Sequence, residues 1–186
     1  GFKVYGEDGA QIASEAAETI VAHVDAIEDE LTIEVADLDY LKEDDMLVYL
    51  GEQIDHAYIT KLQGLIVNPD VIEVMADELR IVYTPLHGTG NRPVQEALKQ
   101  AGFFHVEVVK EQAQPDGNFP TVEYPNPEEE TAFKLAMDYG KAYEADLLMA
   151  TDPDADRVGI AVPKADSYTL LTGSQIVALC LQYLIT

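Results

Sequence analysis

Cysteine is nearly absent from this 186-residue chain. A single cysteine, Cys180, excludes a disulfide framework and suits a reducing compartment, so we expect a cytoplasmic protein. Cys180 lies in the apolar run "IVALCLQYLIT", which predicts a position in the core rather than the role of a nucleophile.

Basic residues and long apolar runs are also scarce. Lysine and arginine number 11 against 35 aspartates and glutamates, which gives a formal net charge of −24. A chain this acidic offers no basic patch to neutralise phosphates, which argues against a nucleic-acid partner, and solubility is the simplest reason for the charge. The longest apolar run is too short to span a bilayer, so we expect neither a membrane partner nor a signal peptide.

The remaining composition is that of a globular protein. Hydrophobic residues make up 47% and charged residues 25% of the chain, which is enough apolar material for a buried core. The chain begins without methionine and ends inside an apolar run that predicts a helix, so we expect it to be a segment of a longer protein.

The order of predicted elements favours an α/β fold. From Leu79 onward, predicted strands and helices alternate, which is typical of a mixed, largely parallel sheet flanked by helices. Before that point the patterns predict a hairpin over 2–12, helices over 13–30 and 46–65, and a loop over 35–45. Two caps are expected, with Ser14 capping the first helix and Asn68 capping a short helix that has Pro69 in its first position.

Three aspartates stand two residues apart in "ATDPDADR", directly after a predicted strand. In extended backbone, side chains at such a spacing point to one side, so the carboxylates of Asp152, Asp154 and Asp156 are expected to converge. Unpaired, they repel one another, whereas a divalent cation makes the arrangement favourable, and hard oxygen ligands suit Mg²⁺ or Ca²⁺. Since ligands of open α/β sheets collect at the carboxyl ends of strands, this loop is a candidate metal site.

Two other interpretations of the aspartates compete with a metal site of this kind. An EF-hand loop needs glycine at position six and glutamate at position twelve, where this chain has Arg157 and Pro163, so that interpretation fails. A solvated acidic turn is the simpler alternative in so acidic a chain. The strands predicted on both sides and the arginine that follows favour the metal site.

Two further segments, one with two glycines and one rich in proline, are predicted to be loops. In "TPLHGTGNRP", Gly88 and Gly90 between a strand and a helix could present N–H groups to an anion, but Pro93 replaces the third glycine of a dinucleotide fingerprint. A tight turn is the simpler interpretation, and His87 is expected to be a hydrogen-bonded structural histidine. In "FPTVEYPNPEEE" we expect a rigid loop that opens a helix capped by Asn126.

Taken in order, five segments resemble the α-D-phosphohexomutase superfamily, especially the bacterial phosphoglucomutases and phosphomannomutases. They are "GFKVYGEDGAQI", "TPLHGTG", "FPTVEYPNPEEE", "ATDPDADR" and "LLTGSQ", and they extend over almost the whole chain. The family has four domains. The resemblance implies that residues 1–50 are the C-terminal part of domain 1, residues 51–164 are domain 2 with the metal-binding loop, and residues 165–186 begin domain 3.

The resemblance also implies a reaction. The family interconverts hexose 1-phosphates and hexose 6-phosphates, such as those of glucose or mannose, through a phosphoserine and Mg²⁺. By this likeness Asp152, Asp154 and Asp156 hold the Mg²⁺, and Arg157 contacts the phosphoryl group or the substrate. Lys3 matches the lysine that closes the family's "NG(F/Y)K" stretch and is implied to act as general acid/base.

The family's serine motif, of the "TASHNP" kind, is not among these residues, so we expect this segment alone to have no mutase activity and to bind Mg²⁺ weakly. The alternatives are a Mg²⁺-dependent phosphotransferase or phosphatase with an aspartyl nucleophile, and a calcium-binding module. The residues themselves do not distinguish glucose from mannose phosphates, nor do they fix the oligomeric state.

Overall fold

The computed structural model describes residues 3–43 and 46–185. The chain divides into two compact units, Gly1–Tyr49 and Leu50–Thr186, which are described separately. The division of the chain into parts of three domains stays a prediction.

Within its described residues, the first unit contains a short antiparallel bridge and two helices. Tyr5 pairs with Gln11, and the amide of Gly6 donates to the carbonyl of Ala10 at 2.9 Å, so the described part of the predicted hairpin is present. The helices are α1 (Ser14–Asp25) and α2 (Leu38–Glu43), and a 3₁₀ turn covers Glu30–Thr32.

Two local predictions for this unit were wrong. Ala13, not Ser14, is the residue before the first turn of α1. The predicted loop contains α2, because the Asp37 carboxylate accepts the amides of Asp39 at 2.9 Å and Tyr40 at 3.1 Å and so caps a helix start.

The second unit is a mixed α/β layer. Its helices are α3 (Glu52–Gln63), α4 (Pro69–Met75), α5 (Asn91–Gln100), α6 (Lys134–Tyr143) and α7 (Gly173–Ile185). Its strands are β1 (Ile81–Thr84), β2 (Val106–Val108), β3 (Leu147–Thr151), β4 (Val158–Lys164) and β5 (Ser167–Leu170). The predicted helix over 46–65 begins only at Glu52, and Pro69 holds the first position of α4, although the Asn68 side chain makes no cap bond within the described residues.

The strands form one five-stranded sheet in the order β2-β1-β3-β4-β5. The β2-β1 and β1-β3 pairings are parallel, whereas β3-β4 and β4-β5 are antiparallel, which confirms the mixed α/β class. The fifth strand was not predicted. The position proposed for the start of a third domain, residue 165, falls in the turn between β4 and β5.

The sheet register places two loops side by side. Thr84, the last residue of β1, lies opposite Ala150 near the end of the parallel strand β3. The segments that follow these strands therefore emerge from the same edge of the sheet. The hydrophobic core contains fully buried apolar side chains, among them Val82, Leu86, Phe133 and Leu148.

The last helix does not contribute to that core. Cys180 is exposed, so its prediction as a core residue was wrong. The apolar side chains of α7 are largely exposed as well. Among residues 3–43 and 46–185, no helix combines the length and the apolar character needed to cross a membrane.

Candidate metal centre

The three aspartates lie in the tight loop that reverses the chain between β3 and β4. Thr151 pairs with Val158 across the antiparallel ladder, so the loop has only six residues. The amide of Ala155 donates to the carbonyl of Asp152 at 3.0 Å, and Ala155 has a φ of 59°. The loop is thus a turn, and the expected extended backbone is not found.

The turn nevertheless brings the carboxylates together. One oxygen from each of Asp152, Asp154 and Asp156 lies within 4.8 Å of the other two. Asp152 is only 1% exposed, whereas Asp154 and Asp156 are exposed. Three hard oxygen ligands on one side of a loop fit a divalent cation such as Mg²⁺ or Ca²⁺, whose binding relieves their mutual repulsion.

Arg157 is anchored at the end of the same loop. Its Nε donates to Asp152 Oδ2 at 2.8 Å, its backbone N–H donates to Asp152 Oδ1 at 3.0 Å, and its Nη1 donates to Asn126 Oδ1 at 3.2 Å. The hydrogen bond to Asp152 is the main cause that raises the pKa of Arg157 above its usual range. The guanidinium is about half exposed, so it is held in place yet open to solvent.

Residues 85–90, the glycine loop, follow β1 and pack directly on residues 152–157, the aspartate loop. A side chain on Gly88 would overlap the backbone of Pro153, which stands between two of the aspartates. Thr89 donates twice to the Pro153 carbonyl, from its amide at 2.9 Å and from its hydroxyl at 3.1 Å. The loop itself is a tight turn, as expected, since the Gly88 amide donates to the Pro85 carbonyl at 2.8 Å, and it contacts the aspartate loop at close range.

A buried pair of hydroxyls supports the base of the aspartate loop. Tyr83 Oη and Thr151 Oγ1 are 2.8 Å apart, and both would be 2.7 Å from a Cβ at Gly90. Burial raises the pKa of Tyr83 from 10.0 to about 12, so the phenol stays protonated and hydrogen-bonded. Sequence reasoning missed this pair, since a tyrosine and a threonine in apolar strands look like ordinary core residues.

His87 is a buried structural histidine, as expected. Its Nδ1 lies 3.3 Å from the carbonyl of Gln114, and its Nε2 lies 2.8 Å from Thr121 Oγ1. Thr121 also accepts from Gln112 Nε2 at 3.0 Å, and Gln112 Oε1 accepts from Thr84 Oγ1 at 2.7 Å. The network ties the glycine loop to the segment that follows β2.

The proline-rich loop meets the site through Asn126. Its Oδ1 accepts from Arg157 and also from the amide of Glu128 at 3.2 Å, so it caps a turn. A 3₁₀ helix, Glu130–Phe133, leads into α6 and has Glu129 in the cap position, so the prediction of Asn126 as the cap was wrong. A side chain on Gly159 of β4 would overlap the Pro127 carbonyl, so only glycine at this position lets the proline-rich loop pack against β4.

Lys3 belongs to the first unit, where it is exposed. The metal centre, by contrast, is built entirely from residues of the second unit. The expected role of Lys3 therefore depends on its sequence motif.

The sequence is similar to that of known proteins over most of its length. The sequence profile of the phosphoglucomutase/phosphomannomutase alpha/beta/alpha domain II matches residues 56–165. The chain is 33% identical to a phosphoglucomutase of Staphylococcus saprophyticus, over 95% of this chain and 31% of that protein. It is 38% identical to a Haemophilus influenzae protein provisionally named a phosphomannomutase, over 89% of this chain and 32% of that protein.

A solved structure agrees with this fold. A crystal structure from Thermus thermophilus, provisionally described as a phosphomannomutase, aligns with a TM-score of 0.59 at 22% identity, over 86% of this chain and 32% of that one. At this level of identity the likeness establishes the fold. The chain spans about a third of the length of the relatives that it matches.

Proposed function

Because this chain belongs to the phosphoglucomutase/phosphomannomutase family, we propose that it is part of an isomerase that interconverts hexose 1-phosphates and hexose 6-phosphates. The observation that carries the proposal is the convergence of three carboxylates beside an anchored arginine, within the residues that the family profile covers. The proposed substrate is a hexose phosphate, of glucose or of mannose, and the proposed location is the cytoplasm.

We assign Mg²⁺ to the aspartate loop, with Asp152, Asp154 and Asp156 as its protein ligands. Carboxylate oxygens are the ligands that Mg²⁺ prefers, and the three negative charges outweigh the two positive charges of the ion. When bound, Mg²⁺ neutralises negative charge on a transferring phosphoryl group. Asp152 fixes the inner end of the loop, because its carboxylate also accepts from the backbone and the side chain of Arg157.

Arg157 is proposed to bind the phosphoryl group or the substrate phosphate. A planar guanidinium pairs with phosphate through two parallel hydrogen bonds, and an anchored one loses less side-chain freedom on binding. Asp152 and Asn126 anchor the guanidinium by hydrogen bonds. The Arg157 side chain is about half exposed, and its Nε lies 3.9 Å from Asp156 Oδ1. Arg157 is thus suited to recognise an anion at the metal centre.

Two parts of the proposal come from the family motifs alone. Lys3 is proposed as the general acid/base for the sugar hydroxyl, and a phosphoserine in a "TASHNP"-like segment is proposed as the phosphoryl donor. No such serine segment occurs in the 186 residues, so we expect no turnover from this chain by itself. Conversion of glucose 1-phosphate to glucose 6-phosphate by residues 1–186 alone would contradict this part.

An aspartyl nucleophile is the competing chemistry. Both carboxylate oxygens of Asp152 accept hydrogen bonds from Arg157, and the side chain is 1% exposed, which disfavours attack on a phosphoryl group. Asp154 is exposed and therefore accessible to a phosphoryl donor. A phospho-aspartate trapped at either residue after incubation with a phosphoryl donor would favour the competing chemistry over the mutase proposal.

The metal assignment is tested by calorimetry on residues 1–186 with Mg²⁺ and with Ca²⁺. We expect weak Mg²⁺ binding that is lost in Asp154→Asn and Asp156→Asn, because each substitution removes one anionic ligand while keeping its size. Asp138→Asn, an exposed aspartate of α6, is the matched control and should bind as the unaltered chain does. Submicromolar affinity that is unchanged in Asp154→Asn would contradict the assignment, and strong preference for Ca²⁺ would favour a calcium module.

A further inference from the structure

We propose that Thr89 is a positioning residue for the metal centre, which sets metal affinity without touching the metal. The inference rests on the proposed function, since it takes the aspartate loop to be a Mg²⁺ site. Thr89 lies in the glycine loop, on a different segment of the chain from all three aspartates, and the aspartate loop is the part that it holds.

The peptide bond between Pro153 and Asp154 links the carbonyl that Thr89 contacts to the second aspartate. The six atoms of a peptide unit lie close to one plane, so fixing the carbonyl oxygen of Pro153 also fixes the direction to the Cα of Asp154. The ring of Pro153 restricts its own φ as well, so little freedom is left on the other side of that carbonyl. The position of the second aspartate therefore depends on where the Pro153 oxygen is held.

Thr89 holds that oxygen with two donors. Its amide and its hydroxyl approach the Pro153 carbonyl at 2.9 Å and 3.1 Å, which uses both lone pairs of the acceptor. Gly88 makes the approach possible, since any side chain there would overlap the backbone of Pro153. Two features of the glycine loop, the lack of a side chain at Gly88 and the two donors of Thr89, thus both act on Pro153, which lies between two of the proposed ligands.

Loss of the Thr89 hydroxyl should lower the metal affinity of the aspartate loop more than it lowers the stability of the protein. Partners that orient metal ligands typically contribute about 10-fold to 100-fold to affinity. Thr89 is exposed, and its amide bond survives a side-chain change, so we expect Thr89→Val to act at the lower end of that range. Thr89→Ser keeps the hydroxyl and should restore most of the affinity.

The test uses residues 1–186 and Mn²⁺ as the probe, followed by its electron paramagnetic resonance signal. We expect Thr89→Val to bind Mn²⁺ about 10-fold more weakly than the unaltered chain and to change the spectrum of the bound ion. Thr89→Ser should bind nearly as the unaltered chain does. Thr60→Val, which removes an exposed threonine hydroxyl from α3, is the matched control and should have no effect.

Gly88→Ala provides a second variant, because its Cβ displaces Pro153 whether or not Thr89 is present. It should weaken Mn²⁺ binding at least as much as Thr89→Val does. Unchanged affinity and spectrum in Thr89→Val would overturn the positioning role while leaving the metal centre intact. If the unaltered chain binds no Mn²⁺, or binds it equally well after Asp154→Asn, the metal assignment itself fails and this inference fails with it.

Discussion

Asp152 and Arg157 close the aspartate loop with two hydrogen bonds to one carboxylate. The backbone N–H of Arg157 donates to Oδ1 at 3.0 Å, and its Nε donates to Oδ2 at 2.8 Å. Since Asp152 is 1% exposed, its charge depends on these donors for compensation. The pair therefore fixes both ends of the loop that carries the other two aspartates.

Arg157→Ala should destabilise the protein more than Arg157→Lys does. Alanine leaves the buried carboxylate of Asp152 with the backbone donor alone, whereas lysine can still offer one charge-assisted hydrogen bond. Lysine cannot reach Asp152 and Asn126 together with the geometry of a guanidinium fork, so it should restore only part of the loss. Urea denaturation midpoints at neutral pH measure this order.

Arg92→Ala is the matched control for this series. Arg92 forms an ion pair with Asp55 at 3.4 Å in which both side chains are exposed, and exposed pairs contribute little to stability. Its midpoint should match that of the unaltered chain. Equal midpoints for Arg157→Ala and Arg92→Ala would show that the Asp152 charge does not depend on Arg157.

Gly159→Ala should destabilise the protein by about 1–3 kcal/mol, because the added methyl group forces β4 away from the backbone of Pro127. The displaced loop carries Asn126, so the anchor of Arg157 should loosen as well. Gly117→Ala is the control, since a Cβ there meets nothing within 4 Å. Thermal unfolding measures both variants, and equal melting temperatures would refute the close packing of this loop.

The aspartate loop could be predicted because its signal is local. An apolar strand, three carboxylates at fixed spacing and an arginine stand within a few residues of one another. Their convergence was predicted correctly, but from an extended backbone that the structure does not have. The loop turns at Ala155, whose φ is left-handed, and no glycine or asparagine stands there to indicate such a turn. The parallel strands β1 and β3 were predictable for the same reason, because each is mostly a continuous apolar run.

Features that depend on distant partners could not be predicted. Gly159 matters because of Pro127, and Tyr83 matters because of Thr151, yet neither residue looks unusual within its own strand. The strand β5 was missed because the hairpin before it turns at Ala165, with a φ of 50°, without the asparagine-glycine signal of such turns.

Tyr83→Phe should alter how stability depends on alkaline pH. The pKa of the Tyr83 phenol is 10.0 when unfolded and about 12 when folded, because burial disfavours the phenolate. Between those values the unfolded chain has lost the proton and the folded chain keeps it. The contribution of Tyr83 to stability is therefore fully present below pH 10, and it falls by about 1.4 kcal/mol per pH unit as the pH rises towards 12.

Denaturant unfolding from pH 8 to pH 11.5 compares the two proteins. Near pH 8, Tyr83→Phe should be less stable by about 1 kcal/mol, since it removes the hydrogen bond to Thr151. That deficit should shrink above pH 10 and then reverse, while the other tyrosines and the lysines titrate alike in both proteins. A difference that stays constant across this range would contradict the raised pKa.

His87 should carry its proton on Nδ1. The carbonyl of Gln114 can only accept, so the ring nitrogen that faces it must donate. Thr121 Oγ1 already accepts from Gln112 Nε2, which leaves its hydroxyl hydrogen for His87 Nε2. The network therefore runs in one direction and is complete with a neutral ring in this single tautomer.

Long-range ¹H–¹⁵N correlation spectra of the side chain distinguish the tautomers, because protonated and unprotonated ring nitrogens resonate far apart. We expect the Nδ1–H pattern for His87, because its Nδ1 faces a carbonyl oxygen. Thr121→Val removes the donor to Nε2 and leaves that nitrogen buried without it, which should destabilise the protein by about 1–3 kcal/mol. A dominant Nε2–H tautomer in the unaltered chain would reverse the direction of the whole network and contradict the contact between His87 and Gln114.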